Sequence, residues 1–415
     1  MVEDRILSAS LESSIRGPGP LLGVLLAPAA WLYRCAIALR NRRYDRDPAA
    51  SSAAPIPVIS VGNLTVGGVG KTPMVIELVR RLRALGRRPA VLTRGYGARP
   101  GRAADEVLEL RAALHDTLVV VDADRVRGAA AAAQQGADAV VLDDGFQHRR
   151  LRRDLDLVLV DALNPWGGGR LLPAGRLREP LASLRRAHAV IITRANQSNT
   201  ETLAAIERDV RRHAPSAYVC RASVAAVGLT MLDSPGSDAA TTRPASRTPT
   251  PGAGAPPPAA AGGTVVRAHD SAVRTGARSA GASESAPFAI DVRVLPVCGV
   301  GNPTSFLALL GTVAADVSEP GCIFRDHHDY TPDDIAAIRA TAARRGAALV
   351  VTTRKDWVKL APLWREAVSG AERAARANDR DAEPRLARVD VETVIHDPDA
   401  QLYELLERAL VKRGR

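Results

Sequence analysis

From Pro57 onward, short runs of aliphatic and β-branched residues alternate with longer stretches whose apolar positions recur at helical spacing. The runs are PVISV at 57–61, PAVLT at 89–93, LVVV at 118–121, AVVL at 139–142, LVLVDA at 157–162 and AVIIT at 189–193. Strands apolar on both faces, separated by helices, predict a parallel sheet covered on both sides. The best-marked helix follows Thr72: Met74, Val75, Leu78, Val79, Leu82 and Leu85 share one face, Pro73 lies in the first turn and Gly86 ends it. A second α/β pattern starts around Pro296, with VLPVCGVGNP leading into SFLALLGTV, then ALVVTTRKD at 348–356 and an Arg-rich stretch read as a helical tail.

Between the two patterns the periodicity vanishes. Residues 235–287 hold no aromatic, Leu or Ile and are rich in Ala, Pro, Gly, Ser, Thr and Arg. Such a segment buries too little apolar surface to offset its ordering entropy. It is expected to be a disordered, dispensable insertion at the tip of two paired strands, Ala217–Leu232 and Phe288–Val297. The predicted organisation is therefore a membrane-associated helical segment (1–49), a phosphate-loop domain (50–215), connecting strands carrying the insertion (216–295) and a smaller α/β domain (296–415).

Upstream, Pro20–Leu39 is apolar apart from Arg34, and Arg40, Arg42, Arg43 and Arg46 follow it. Its length approaches a membrane span, while Arg34 and Pro28 weaken one, so spanning, lying in the interface and packing on the soluble body all stay open. Acidic Glu3, Asp4 and Glu12 precede the run, which argues against a cleaved signal peptide. The formal charge of +11 is spread through helices and loops, favouring phosphorylated ligands or anionic lipid over nucleic acid, for which no aromatic–basic interleaving exists. Cys35, Cys220, Cys298 and Cys322 are scattered without CxxC pairing, so neither a zinc site nor a disulfide framework is indicated.

The chemistry is concentrated in VGNLTVGGVGKTP. Binding a polyphosphate needs successive backbone N–H groups, small residues that let the backbone approach, and a helix N-terminus. Thr65, Val66, Gly67, Gly68, Val69, Gly70, Lys71 and Thr72 supply these, with Lys71 directed to the β- and γ-phosphates of ATP and Thr72 to Mg²⁺. Thr65 stands where the usual motif has its first glycine. Asp143 and Asp144, at the end of a buried strand, supply a carboxylate for the metal, either one directly.

Seven segments together resemble the tetraacyldisaccharide 4'-kinase (lipid A 4'-kinase) family: GNLTVGGVGKTP (62–73), LTRGYGAR (92–99), LDDGFQHRRLRRDLDLVLVDA (142–162), GGRLLPAGRLREPL (168–181), VCGVGNPTSF (297–306), FRDHHDYTPDDI (324–335) and TTRKDWVKL (352–360). The resemblance implies ATP- and Mg²⁺-dependent phosphorylation of the 4'-hydroxyl of an acylated glucosamine disaccharide 1-phosphate. It also implies action at the cytoplasmic face of the inner membrane, in lipopolysaccharide synthesis, with no obligate protein partner evident. It implies Asp105 as the base, although Ala104 and Val107 depart from the family's Gly-Asp-Glu-Pro, with His327, in preference to His328, as its partner. Gln147, His148, Arg178 and Glu179 are implied for the lipid head group. Gly299, Gly301 and Asn302, with Thr353, Lys355 and Asp356, are expected to shape the cleft, and closure of the two halves is expected to bring His327 toward Asp105. A partition- or insertion-type switch ATPase is the alternative; its loop reads KGGxGKT, and Val66 replaces that lysine.

Overall fold

The computed structural model describes residues 20–95, 105–232, 265–266, 273–274, 288–374 and 383–411. Two helices come first, α1 (Pro20–Leu25) and α2 (Ala27–Arg46). One side of α2 is tied to the body: the Tyr33 hydroxyl donates to the Arg178 carbonyl (2.9 Å), and Asp45 pairs with Arg149 (2.8 Å) and Arg185 (2.7 Å). The other side leaves Trp31, Leu32 and Leu39 exposed, as are Val24 and Leu25 of α1, all at 63–76%. A helix buried against the soluble body, one of the three alternatives, is therefore not what forms. Among the described residues no helix is long and apolar enough to cross a membrane.

The first half continues as β1 (Val58–Asn63), α3 (Lys71–Ala84), β2 (Pro89–Thr93), α4 (Asp105–Ala113), β3 (Leu118–Val121), α5 (Arg125–Gln134), β4 (Ala139–Asp143), β5 (Leu155–Asp161), β6 (Ala189–Thr193), α6 (Thr200–His213) and β7 (Tyr218–Met231). These strands pair in parallel in the order β7-β6-β5-β1-β4-β2-β3. Alternate residues feed different cores. Ile59, Val61 and Leu157 meet Leu78 and Leu82 on one face, and Val58, Val140 and Leu142 meet Ala129 and Ala132 on the other. Two faces that both exclude water explain the unbroken apolar runs.

The remainder adds two short antiparallel pieces, β8 (Val265–Val266) on β7 and β9 (Val273–Arg274) on β10 (Ala289–Ile290). Then come β11 (Val294–Cys298), α7 (Pro303–Gly311), β12 (Cys322–Ile323), α8 (Pro332–Arg344), β13 (Leu349–Thr352), α9 (Arg354–Ala374), β14 (Arg385–His396) and α10 (Gln401–Val411). A second parallel block runs β12-β11-β13-β14 and joins the first through the antiparallel pair β14–β7, making, with β8 on β7, one 12-stranded sheet.

The register of that pair creates the cleft. The first block engages only Tyr218–Arg221 of β7, and the second engages only Arg385–Arg388 of β14. Arg221 faces His396, and Arg388 faces Thr230, so residues 222–229 and 389–395 belong to neither block and bridge them. Because β14 runs opposite to β7, the carboxyl ends of the two sets of parallel strands face each other across this bridge. Open α/β sheets bind ligands at those carboxyl ends, and here two such edges share one space.

Three expectations change. The partner of 218–231 is β14, not the segment 288–297, whose strands β10 and β11 pair elsewhere. The supposed helical tail contains this 12-residue strand, whose period-2 alternation (Val389, Val391 and Thr393 between Arg388, Asp390 and Glu392) sits behind an Arg-rich helix. The last helix does not stay with the second half: Leu402, Leu406 and Leu410 of α10 pack with Leu78, Leu82 and Leu155 of the first. The expected insertion lies outside the described residues except for β8 and β9.

Candidate active site

A cleft of about 900 Å³ lies over the bridge, walled by residues 65–73, by Asp143 and Asp144, and across from them by Asp326, His327 and Lys355. The phosphate loop connects β1 to α3. Its left-handed positions are Gly67 (φ 119°) and Gly70 (φ 85°), where a Cβ would be strained. Thr65 is not left-handed, and its carbonyl and hydroxyl accept from the buried Asn63 amide (2.7 and 3.2 Å), so this loop accommodates a threonine where the common motif has glycine. The Lys71 ammonium lies 3.3 Å from Asn63 Oδ1 and 3.7 Å from Asp144.

The two acidic residues have separate environments. Asp143 is buried, its Oδ1 has no hydrogen-bond partner, and burial, reinforced by Glu106, pushes its carboxyl up to about 7. Asp144 is also pulled upward by burial, but Lys71 and Arg178 outweigh this and hold it at about 2. Both guanidinium Nη atoms of Arg178 donate to Asp144 at 2.8 Å, and Arg178 also donates to Asn63. A small hard cation fits this donor set: the orphaned Asp143 oxygen and the Thr72 hydroxyl are the available ligands, with Asp144 committed to Arg178. That suits Mg²⁺, which takes one or two carboxylates and completes its shell with water and phosphate.

Asp105 and His327 are 222 positions apart and in contact, His327 Nδ1 lying 3.1 Å from Asp105 Oδ2. The expected closure is not needed to form this pair. Lys359 pairs with the same oxygen. Burial raises the Asp105 carboxyl, but hydrogen bonds from Lys359 and His327 overcome it and leave the group below its usual range. His327 adopts a left-handed backbone (φ 61°) and its side chain is 46% exposed. His328 is used differently, 3.0 Å from Asp334 and stacked on Phe324 (4.6 Å between ring centroids).

On the remaining wall, Gln147 donates to the Asn63 carbonyl (2.9 Å) and leaves its Oε1 unpartnered, and His148 Nδ1 is likewise buried without a partner. Burial, then Arg125, lowers the His148 imidazole, favouring its neutral form. Glu179 differs from expectation: it is wholly buried, with Arg40 on one oxygen and Arg186 on the other, each at 2.7 Å. Both oxygens are occupied, so its effect on the cleft passes through Arg40, which does line it. Asp356 accepts from Gly299 N (3.0 Å) and Thr353 (2.8 Å), so these three build a turn, whereas Lys355 reaches Asp326. Gly301 touches the phosphate loop itself: a Cβ there would lie 3.2 Å from Gly68 N and 3.0 Å from Asp326 Oδ2.

Several wall residues were missed from the sequence. Arg40, Glu106, Glu109, Arg125 and Arg194 line the cleft without a motif of their own, and Asp326 lines it from within the segment 324–335. Lys359 had a signal: Lys355 and Lys359 are four apart on one helix, and both reach carboxylates of the site.

A family profile for tetraacyldisaccharide-1-P 4'-kinase matches residues 22–388. A tetraacyldisaccharide 4'-kinase of Anaeromyxobacter dehalogenans (strain 2CP-C) is 36% identical over 405 residues, covering 90% of this chain and 89% of that protein. A protein of the same name from Syntrophus aciditrophicus (strain SB) is 34% identical over 370 residues, covering 83% and 88%. Among solved structures, the "apo" form of LpxK from Aquifex aeolicus in complex with ATP superimposes with a TM-score of 0.57 at 24% identity, covering 94% of this chain and 99% of that one. At that identity the likeness speaks for the fold.

Proposed function

The chain belongs to the tetraacyldisaccharide-1-P 4'-kinase family, an ATP-dependent kinase family of lipid A synthesis, and from that premise we propose how its own residues carry out the transfer. The acceptor is the 4'-hydroxyl of a tetraacylated glucosamine disaccharide 1-phosphate, and the product is the 1,4'-bisphosphate. The observation that carries this reading is that the phosphate loop of the first half and His327 of the second line one cleft, with Asp105 in contact with His327 at 3.1 Å.

Lys71 and the loop amides hold the polyphosphate. Asp143 and Thr72 would hold Mg²⁺, which when bound neutralises charge on the phosphate oxygens. The acceptor oxygen forms a bond to the γ-phosphorus as the bond to the ADP oxygen breaks, and the hydroxyl proton passes to Asp105 Oδ. Asp105 is ionised at neutral pH because Lys359 and His327 hold its carboxyl low; a loose transition state asks for an aligned acceptor more than a strong base. Gln147, His148 and Arg178 lie on the wall where the sugar head group would approach, and Glu179 holds Arg40 beside it.

A lipid acceptor requires the enzyme to work at a bilayer surface, which we place at the cytoplasmic face of the inner membrane. Trp31, Leu32 and Leu39 on α2, with exposed Arg42, Arg43 and Arg46, support docking in the interface without spanning it.

The test is transfer from γ-labelled ATP to the disaccharide monophosphate in detergent micelles, with wild type beside Lys71→Ala and Asp105→Ala. Labelled lipid from wild type, lost in both folded variants, is expected. ATP hydrolysis without labelled lipid overturns the acceptor assignment.

A further inference from the structure

The phosphate loop is gripped through its carbonyl groups. Arg176 donates to the Val66 carbonyl from Nε (3.2 Å) and Nη2 (3.1 Å), Arg194 Nη2 donates to the Gly68 carbonyl (2.7 Å), and the Thr193 hydroxyl donates to the Val69 carbonyl (3.0 Å). In a trans peptide the carbonyl of one residue and the N–H of the next point in opposite directions. Pinning these three carbonyls therefore turns the N–H groups of Gly67, Val69 and Gly70 away from the clamping side chains. A Cβ built on Gly68 or Gly70 meets nothing within 4 Å, whereas one on Gly67 would strike Arg176 Nη2 at 2.5 Å.

We propose that Arg176 and Arg194, with Thr193, are positioning residues of the kinase: they preset the loop's peptide planes so that its N–H groups converge on the nucleotide phosphates. This rests on the nucleotide-binding reading of the loop and deepens it. Arg194 could in principle leave its carbonyl for a phosphate. Asp161 restrains it, lying 2.6 Å from Nη1, and both side chains are nearly buried, at 11% and 7% exposure. The same Asp161 oxygen accepts from Asn302 of the second half at 3.4 Å, so the clamp is fixed to both sides of the cleft. Arg176 is held by the chain: Val66 N donates to its carbonyl (2.8 Å), and Arg178 N donates to Leu64 O (2.7 Å), laying 176–178 along 64–66. An unclamped glycine-rich loop would have to order itself on binding, and that entropy would come out of the affinity.

The experiment measures binding of a non-hydrolysable ATP analogue to the full chain in detergent, alongside kcat and KM for ATP and for the lipid acceptor. Variants are Thr193→Val, Arg176→Gln, Arg194→Lys and, as reference, Lys71→Ala. Each clamp variant is expected to weaken the analogue about tenfold, about 1.4 kcal/mol. It should raise the KM for ATP in parallel and leave the acceptor KM and the nucleotide-free melting temperature at wild-type values. Unchanged analogue affinity in folded variants overturns the proposal, as does a loss of acceptor affinity of equal size, which would mark a general structural role. If the arginine variants fail to fold, the near-isosteric Thr193→Val decides by the same criteria. Wild type binding no better than Lys71→Ala would instead sink the nucleotide-binding reading, and the clamp with it.

Discussion

The two catalytic walls of the cleft are built in different ways. The phosphate wall comes from one stretch of chain, residues 63–72, built on local glycines, a strand end and a helix start and held from outside by Arg176, Thr193 and Arg194. The opposite wall is assembled: Asp105 begins a helix of the first half, and His327 and Lys359 arrive from the second. The first wall is continuous in sequence, whereas the second depends on how the halves are set against each other. The β7–β14 bridge does that setting, so its register is as much part of the site as any side chain.

Substitutions can sharpen this contrast. The largest effect is expected for Lys71→Ala, a loss in kcat/KM of about 10³-fold, because a charge aimed at the transferring phosphoryl is removed from a site that preorganises it. Steady-state transfer assays check it. Asp105→Asn should cost about 10²-fold in kcat with the KM for ATP unchanged, the low end for a lost general base. His327→Ala should cost less, about tenfold, because Lys359 still holds Asp105. If His327→Ala matches Asp105→Asn, the histidine is the true proton acceptor and the assembled wall must be redrawn.

Two smaller effects concern pH. The depressed Asp105 carboxyl stays ionised until pH falls through its folded value, below the ordinary 3.8. Lys359→Met removes the strongest group holding it down and leaves burial in place, so the acid limb of the kcat/KM profile should move to higher pH. Glu109 gives the smallest effect, on stability. Burial raises it from 4.5 to about 7 against the pull of Arg354 and Lys355. Between those values the folded state binds more protons than the unfolded one, so stability falls as pH rises. Glu109→Gln should flatten that slope, read as the difference in melting temperature between pH 5 and pH 8.

How much was legible in the sequence follows the same contrast. The loop, the Asp143–Asp144 pair and the first seven strands could be read because each is encoded by neighbouring residues. The strand 385–396 was hidden because its alternation sits behind an Arg-rich helix and its partner lies 160 positions away, as the Thr230–Asp390 hydrogen bond measures. His327 and His328 are indistinguishable by neighbourhood; the structure separates them because Phe324 and Asp334 engage the second. Glu179 shows the limit of reading by neighbourhood: its place beside Arg178 gives no sign that Arg40 and Arg186 occupy both its oxygens.

The final helix has a consequence for how the protein is made. Leu402, Leu406 and Leu410 cover apolar residues of β5 and α3 that leave the ribosome more than 200 residues earlier. Until residues 401–411 emerge, the nascent first half carries an uncovered hydrophobic surface, the kind of exposure that recruits chaperones or aggregates. A chain released early, before Gln401, would thus keep every residue of the cleft and still be the form most open to degradation.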